Sequence, residues 1–198
     1  MKLYYNSKRC CYLERIICLV CGMEINNKNF SFNSSAFLKV NYIDTIDHCP
    51  FCGADKQYLS NDELSYLSQL SVLDEKTKSI IDHAMKLEVF NGDFYKKAAS
   101  IVDNPKLNKM LEALSKIEYM HANIHRKIIG YDNLPVIRDM DYSSLKSDEA
   151  ILKTARIREE HAVAYYEKYI NMIEDEYLAS ILRGLSLVEK THINLTSA

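Results

Sequence analysis

Residues 188–192 read VEKTH and residues 117–121 read IEYMH. The two stretches lie 71 positions apart, and each sets a histidine three residues after a glutamate within a run whose apolar positions recur every three or four residues. In a helix, positions i and i+3 share a face, so Glu189 and His192 point the same way as Leu182 and Leu185. A carboxylate on a core-facing stripe costs several kcal/mol unless it is paired or holds a metal. The fold turns on which of these applies.

Sliding the chain against itself by the same 71 residues answers much of this. Ile80 falls on Ile151, Ala84 on Ala155, Leu107 on Leu178, Leu111 on Leu182, Leu114 on Leu185 and Ile117 on Val188. The polar positions agree as well: Glu88 meets Glu159, Tyr95 meets Tyr166, Glu118 meets Glu189, His121 meets His192, and Asn104 meets Asp175. This is a duplicated helix hairpin. The periodicity predicts helices over about 75–102, 105–129, 148–173 and 176–195. Asn104 and Pro105 read as a start signal and Gly130 as a stop. Tyr131 to Ser147 is too long for a tight hairpin and reads as a crossover. The expected fold is mainly α: an antiparallel four-helix bundle over residues 60–198, preceded by a small cysteine module over residues 1–59.

Helical phase brings Glu88, Glu118, His121, Glu159, Glu189 and His192 into one interior layer. Four carboxylates and two neutral imidazoles would carry a charge of -4, which two divalent cations cancel. One Glu from each of two helices plus Glu-x-x-His from the other two is the ligand set of carboxylate-bridged dinuclear bundles. Tyr95 and Tyr166 lie two turns beyond a ligand glutamate on the same face. They either hydrogen-bond the opposite carboxylates or fill core with their hydroxyls satisfied elsewhere. His125 is on the inward stripe of the second helix without a histidine at the matching position, and reads as a packed core or crossover-contacting histidine. His83, Glu160 and His161 fall off the inward phase and read as surface residues.

All six cysteines lie within the first 52 residues, four of them in CLVCG (Cys18, Cys21) and CPFCG (Cys49, Cys52). Each pair is a metal knuckle whose glycine lets the backbone turn toward thiolate sulfur. Four thiolates suit a tetrahedral iron or zinc ion. Cys10 and Cys11 lie outside the knuckles and read as incidental thiols. The 25 basic and 27 acidic residues are well mixed, which argues against nucleic acid and membrane as partners. No stretch reaches the ~20 apolar residues of a membrane span, and no signal peptide is legible, so a cytoplasmic protein is expected.

Taken together, these motifs resemble the rubrerythrin family, in the arrangement with a rubredoxin-like module ahead of a ferritin-like bundle. KLEVFNGDFY (residues 86–95) and REEHAVAYY (158–166) are similar to the family's first-helix and third-helix Glu-x6-Tyr motifs. IEYMH and VEKTH are similar to its Glu-x-x-His motifs, and CPFCGA (49–54) to its rubredoxin-like knuckle. The resemblance implies a non-haem di-iron peroxidase with two iron ions held by the six bundle ligands and one iron or zinc held by the cysteines. It implies hydrogen peroxide or dioxygen as oxidant, electrons from a reductase or a rubredoxin, and a homodimer in which one subunit's module faces the other's di-iron site. Two departures stand out. Ala162 occupies the place where many rubrerythrins carry an extra glutamate, and the spacer Gly22 to His48 is longer than in short rubrerythrin ribbons. A rival expectation is an iron-sequestering or interaction protein with a purely structural zinc ribbon.

Overall fold

Four helices begin where the sequence supplies side chains able to cap them. The computed structural model describes residues 15–61 and 64–197, so Cys10 and Cys11 lie outside the described residues. Helices α1 (Glu75–Ile101), α2 (Pro105–Ile129), α3 (Asp148–Ile170) and α4 (Glu176–Thr196) carry nearly half of the chain. Asp74, Asn104, Ser147 and Asp175 each accept a backbone N–H of the first turn, and such caps contribute about 1 kcal/mol apiece. Gly130 ends α2 with φ 82°, in the left-handed region that a Cβ would strain. Helix α3 stops at Ile170, earlier than the periodicity predicts, because Asn171 and Met172 form a turn after which Ile173 still enters the core.

Cross-helix hydrogen bonds show how these elements pair. Ser115 Oγ donates to the carbonyl of Gly92 at 2.9 Å and Asn108 Nδ2 to that of Ala99 at 2.7 Å, so α1 and α2 run antiparallel. Tyr165 Oη donates to Ile80 O at 2.9 Å, fastening α3 to α1, and Lys190 pairs with Glu167 at 2.7 Å between α4 and α3. The connection from α2 to α3 contains neither helix nor strand between residues 131 and 147. It is strapped to α1 and α3 by the Lys97–Asp139 ion pair and by Arg158, which donates to Tyr142 Oη at 2.8 Å. Among the described residues no helix is long and apolar enough to cross a membrane.

The cysteine-bearing segment forms a three-stranded antiparallel sheet of β1 (Ile16–Cys18), β2 (Glu24–Ile25) and β3 (Leu59–Ser60), ordered β2-β1-β3. So few paired residues cannot fold on apolar burial alone. Their apolar side chains instead join the helices: Val20, Ile25, Phe51 and Tyr58 share one core with Ile81, Ala84, Ile124, Leu182 and Leu185. A second core, with Phe94, Leu111, Leu114 and Ile117, fills the far half of the helices.

Gly184 makes the close approach of module and α4 feasible, since a Cβ there would sit 2.9 Å from a Val20 methyl. Gly184→Val is therefore expected to lower stability by about 2 kcal/mol through overpacking at the joint. Thermal melts should show a fall of roughly 5 °C. An unchanged melt would mean that the joint is looser than this contact implies.

Candidate metal centres

The helical phase delivers all six interior ligand candidates to one layer, where every one is fully buried. Two overlapping clusters form. Glu88, Glu118, His121 and Glu189 make one and Glu118, Glu159, Glu189 and His192 the other, with potential ligand atoms within 4.8 Å of one another in each. Glu118 and Glu189, equivalent in the repeat, belong to both. Glu88 with His121, and Glu159 with His192, belong to one each. This is the pattern of two shared carboxylates between two terminal Glu/His pairs.

Both imidazoles turn Nδ1 toward the carboxylates. His121 Nδ1 lies 3.0 Å from Glu189 Oε1, and His192 Nδ1 lies 3.2 Å from Glu118 Oε1 and 3.1 Å from Glu189 Oε2. The rings are near parallel, with centroids 6.3 Å apart. Glu88 Oε2, both oxygens of Glu118, Glu159 Oε2, Glu189 Oε1 and His121 Nδ1 are buried without a hydrogen-bond partner. Buried polar atoms are nearly always satisfied, so orphans concentrated at one convergence point fit cations. Oxygen and imidazole donors suit divalent iron or manganese.

Electrostatics agree with the count of charges. Burial and then the charge of Glu189 push Glu118 and Glu159 well above the ordinary carboxylate range, and the same two causes raise Glu88 to about 7. Burial would raise Glu189 too, but His121 and His192 hold it low. Burial would lower His121, yet Glu189, Glu88 and the Cys52 carbonyl lift it to about 9. Burial thus favours protonated Glu118 and Glu159 where no cation is bound, and a metal ion would compete with those protons.

A pH test follows from these directions. A histidine at about 9 when folded and 6.5 when unfolded contributes stability that is present below pH 6.5 and lost as pH rises through 9. The metal-free protein should melt roughly 5 °C lower at pH 9 than at pH 6.5. The metal-loaded protein should show the opposite trend below neutrality, where protons compete for Glu88, Glu118 and Glu159. Melting curves of chelated and loaded samples check both; parallel pH profiles would count against the cluster binding metal.

Tyr95 donates its hydroxyl to Glu159 and Tyr166 donates to Glu88, so each half of the repeat braces a carboxylate of the other. Of the two roles open to these tyrosines, the structure has them on the opposite carboxylates. His125 lies fully buried with Nε2 2.8 Å from Tyr166 Oη. His83, Glu160 and His161 are exposed. Ala162 is buried and brings no carboxylate to the layer. Arg158 was not singled out by the sequence. Its guanidinium, next in chain to Glu159, stacks on Phe90 at 4.1 Å and Phe94 at 4.5 Å, while its Nε and Nη1 find no partner. Phe90 and Phe94 are neighbours on one face of α1, but only three-dimensional packing brings Arg158 to them.

The four knuckle cysteines are buried free thiols whose sulfurs lie within 4.8 Å of one another. Cys18 Sγ is 3.7 Å from Cys52 Sγ, and Cys21 Sγ is 3.7 Å from Cys49 Sγ. A tetrahedron with metal–sulfur bonds of about 2.3 Å has edges of roughly 3.8 Å, so these separations fit one ion. Gly22 and Gly53 close the knuckles with φ of 74° and 78°. Burial pushes the Cys21 and Cys52 thiols up; Cys18, equally buried, is held down by hydrogen bonds from the neighbouring thiols.

The two centres touch. His121 Nε2 lies 2.8 Å from the carbonyl oxygen of Cys52, so the imidazole that faces the carboxylates with Nδ1 donates its other N–H to the cysteine knuckle. This contact is made within one chain. The four-cysteine cluster, the buried carboxylate and histidine cluster and the four helices are compatible with the rubrerythrin pattern. No protein-family model, curated protein or solved structure matches the chain.

Proposed function

We propose that the protein is a rubrerythrin-like non-haem di-iron oxidoreductase that reduces hydrogen peroxide, with dioxygen as the other candidate oxidant. The helices would form a ferritin-like antiparallel bundle with residues 131–147 as its crossover. The observation that carries this reading is the His121–Cys52 hydrogen bond, which links a ligand candidate of the carboxylate cluster directly to a knuckle of the cysteine cluster. Glu118 and Glu189 would bridge two metals, with Glu88 and His121 on one and Glu159 and His192 on the other. Bound iron would supply the redox chemistry, with one-electron storage among the four sulfurs and reduction of the O–O bond at the pair.

The chain's own residues do the rest. Tyr95 and Tyr166 hold Glu159 and Glu88 in place by hydroxyl hydrogen bonds, fixing which carboxylate oxygen faces the centre. The apolar cores on either side of the layer exclude bulk water. The Cys52 carbonyl fixes the His121 tautomer, leaving Nδ1 bare toward the carboxylates, and supplies a short route for electrons from knuckle to imidazole. Reduction of one peroxide to two waters takes two electrons and two protons. The electrons would come from a reductase or a rubredoxin of a cytoplasmic cell interior, with a homodimer as the expected assembly.

Metal analysis and colour test the reading. Protein loaded anaerobically with ferrous iron should hold three irons per chain, turn red on adding peroxide as the cysteine-held iron becomes ferric, bleach on reduction and regain colour with more peroxide. A colourless ribbon containing zinc, in protein that takes up iron without consuming peroxide, would favour the sequestering rival.

A further inference from the structure

We propose that the cleft between the cysteine module and α4 binds an uncharged flavin ring, as a small-molecule electron donor to the cysteine site. Its purpose rests on the oxidoreductase reading. The binding site rests on the cleft itself.

The cleft encloses about 350 Å³, within the range that holds a small ligand. The long spacer between the two knuckles builds one wall. There the rings of Phe37 and His48 pack with centroids 3.9 Å apart, and Leu38 keeps 60% of its surface exposed. Helix α4 builds the other wall with Leu187, Val188 and Thr191. The floor is closed where a Cβ on Gly53 would sit 2.7 Å from a Val188 methyl. Gly53 follows Cys52 in the chain, so a ring on this floor lies against the knuckle whose carbonyl meets His121.

The polar groups around the cleft select the ligand. His48 is only 9% exposed, yet among the described residues neither of its ring nitrogens has a hydrogen-bond partner. Burial lowers its pKa to about 4, so the ring is neutral near pH 7, a donor at one nitrogen and an acceptor at the other. The amides of Gln57 and Asn194 also line the cleft and offer both kinds of group. A flavin edge alternates carbonyl acceptors with an N–H donor, whereas a quinone offers carbonyls alone. Asp47 and Asp55 outnumber Lys39, which disfavours a phosphate on the ligand. A four-thiolate iron takes one electron at a time, and a reduced flavin can give its two electrons singly. Each electron would reduce one ferric ion to ferrous, and the two protons of the reduced flavin would pass to solvent at the open mouth.

Fluorescence anisotropy of oxidised riboflavin, titrated with full-length zinc-loaded protein, reads binding without turnover. Saturable binding with a dissociation constant below about 100 µM is expected, weaker by at least about threefold for the phosphate ester FMN. Thr191→Trp fills the cleft from an exposed position and should weaken riboflavin binding at least about tenfold. His48→Phe keeps a ring on Phe37 without the nitrogens and should weaken binding about three- to tenfold. No saturable binding, binding that both variants leave unchanged, or tighter binding of FMN would overturn the site. Menadione binding where riboflavin does not would overturn the flavin assignment. If Thr191→Trp does not fold, the wild-type titration and His48→Phe decide. With iron in the cysteine site, reduced riboflavin should bleach the red at least about tenfold faster in the wild type than in Thr191→Trp. Riboflavin binding in a protein whose cysteines hold only zinc would leave the site standing and remove electron delivery as its purpose.

Discussion

Glu118→Gln is expected to raise the melting temperature of the metal-free protein while removing its capacity to hold two metals. The opposite signs come from one cause. Glu118 belongs to both clusters, neither of its oxygens has a hydrogen-bond partner, and burial with Glu189, Glu159 and Glu88 nearby makes its charged form costly. In the absence of metal the raised Glu118 carboxyl must take up a proton on folding, an amide of the same shape avoids that cost, and a gain of about 1–3 kcal/mol is the scale. With metal present the same change deletes an anionic ligand shared by both positions. Bundle metal should fall from two ions per chain to one or fewer, and peroxide turnover by about a thousandfold or more. Elemental analysis and paired melts of chelated protein decide it. If the chelated variant melts below the wild type, the carboxylate layer is not a repulsive cluster waiting for cations.

The second large effect belongs to the cysteines. Cys18→Ser should cost more than about 5 kcal/mol if the cysteines hold an ion, because a module with seven residues in strands would then draw its order from that ion as well as from its shared core with the helices. Losing the ion frees both knuckles and exposes the faces of Leu182 and Leu185 against which Val20 and Phe51 pack. Limited proteolysis should then cut within residues 15–61 and leave the helices largely protected, and a dye that reports apolar surface should brighten. A variant as resistant as the wild type would show that the sheet and core alone suffice. Chelation strong enough to strip the thiols should reproduce the variant's cleavage pattern.

The layer of buried glutamates and histidines was legible because its constraints are local and repeated. Glutamate and histidine three residues apart share a helix face, and the second copy at a fixed offset tells these pairs apart from solvated ones. Caps at Asn104 and Asp175 and the stop at Gly130 were legible for the same reason, since each depends on a few neighbouring residues. The long-range geometry was not. Nothing in the spacing of Cys52 and His121 says that a knuckle carbonyl will meet an imidazole 69 residues later. His125 stood out as an inward residue without a repeat partner, but its bond to Tyr166 needed the packing of α2 against α3. Arg158 carried no signal at all, because three aromatic rings from two separate segments make its surroundings. The last turn assigned to α3 failed for a tertiary reason: Ile173 keeps its place in the core after the helix has ended.

The tight seat between Val20 and Gly184, together with that between Gly53 and Val188, joins segments that are synthesised far apart in time. Each hairpin of the duplication can assemble from near neighbours as it leaves the ribosome, whereas the cysteine module must wait for α4 before its apolar face has a home. During that interval its thiols would be open to metal ions in the surroundings. Iron or zinc supply at the moment of translation, more than the affinity of the finished protein, would then decide which ion the cysteines keep.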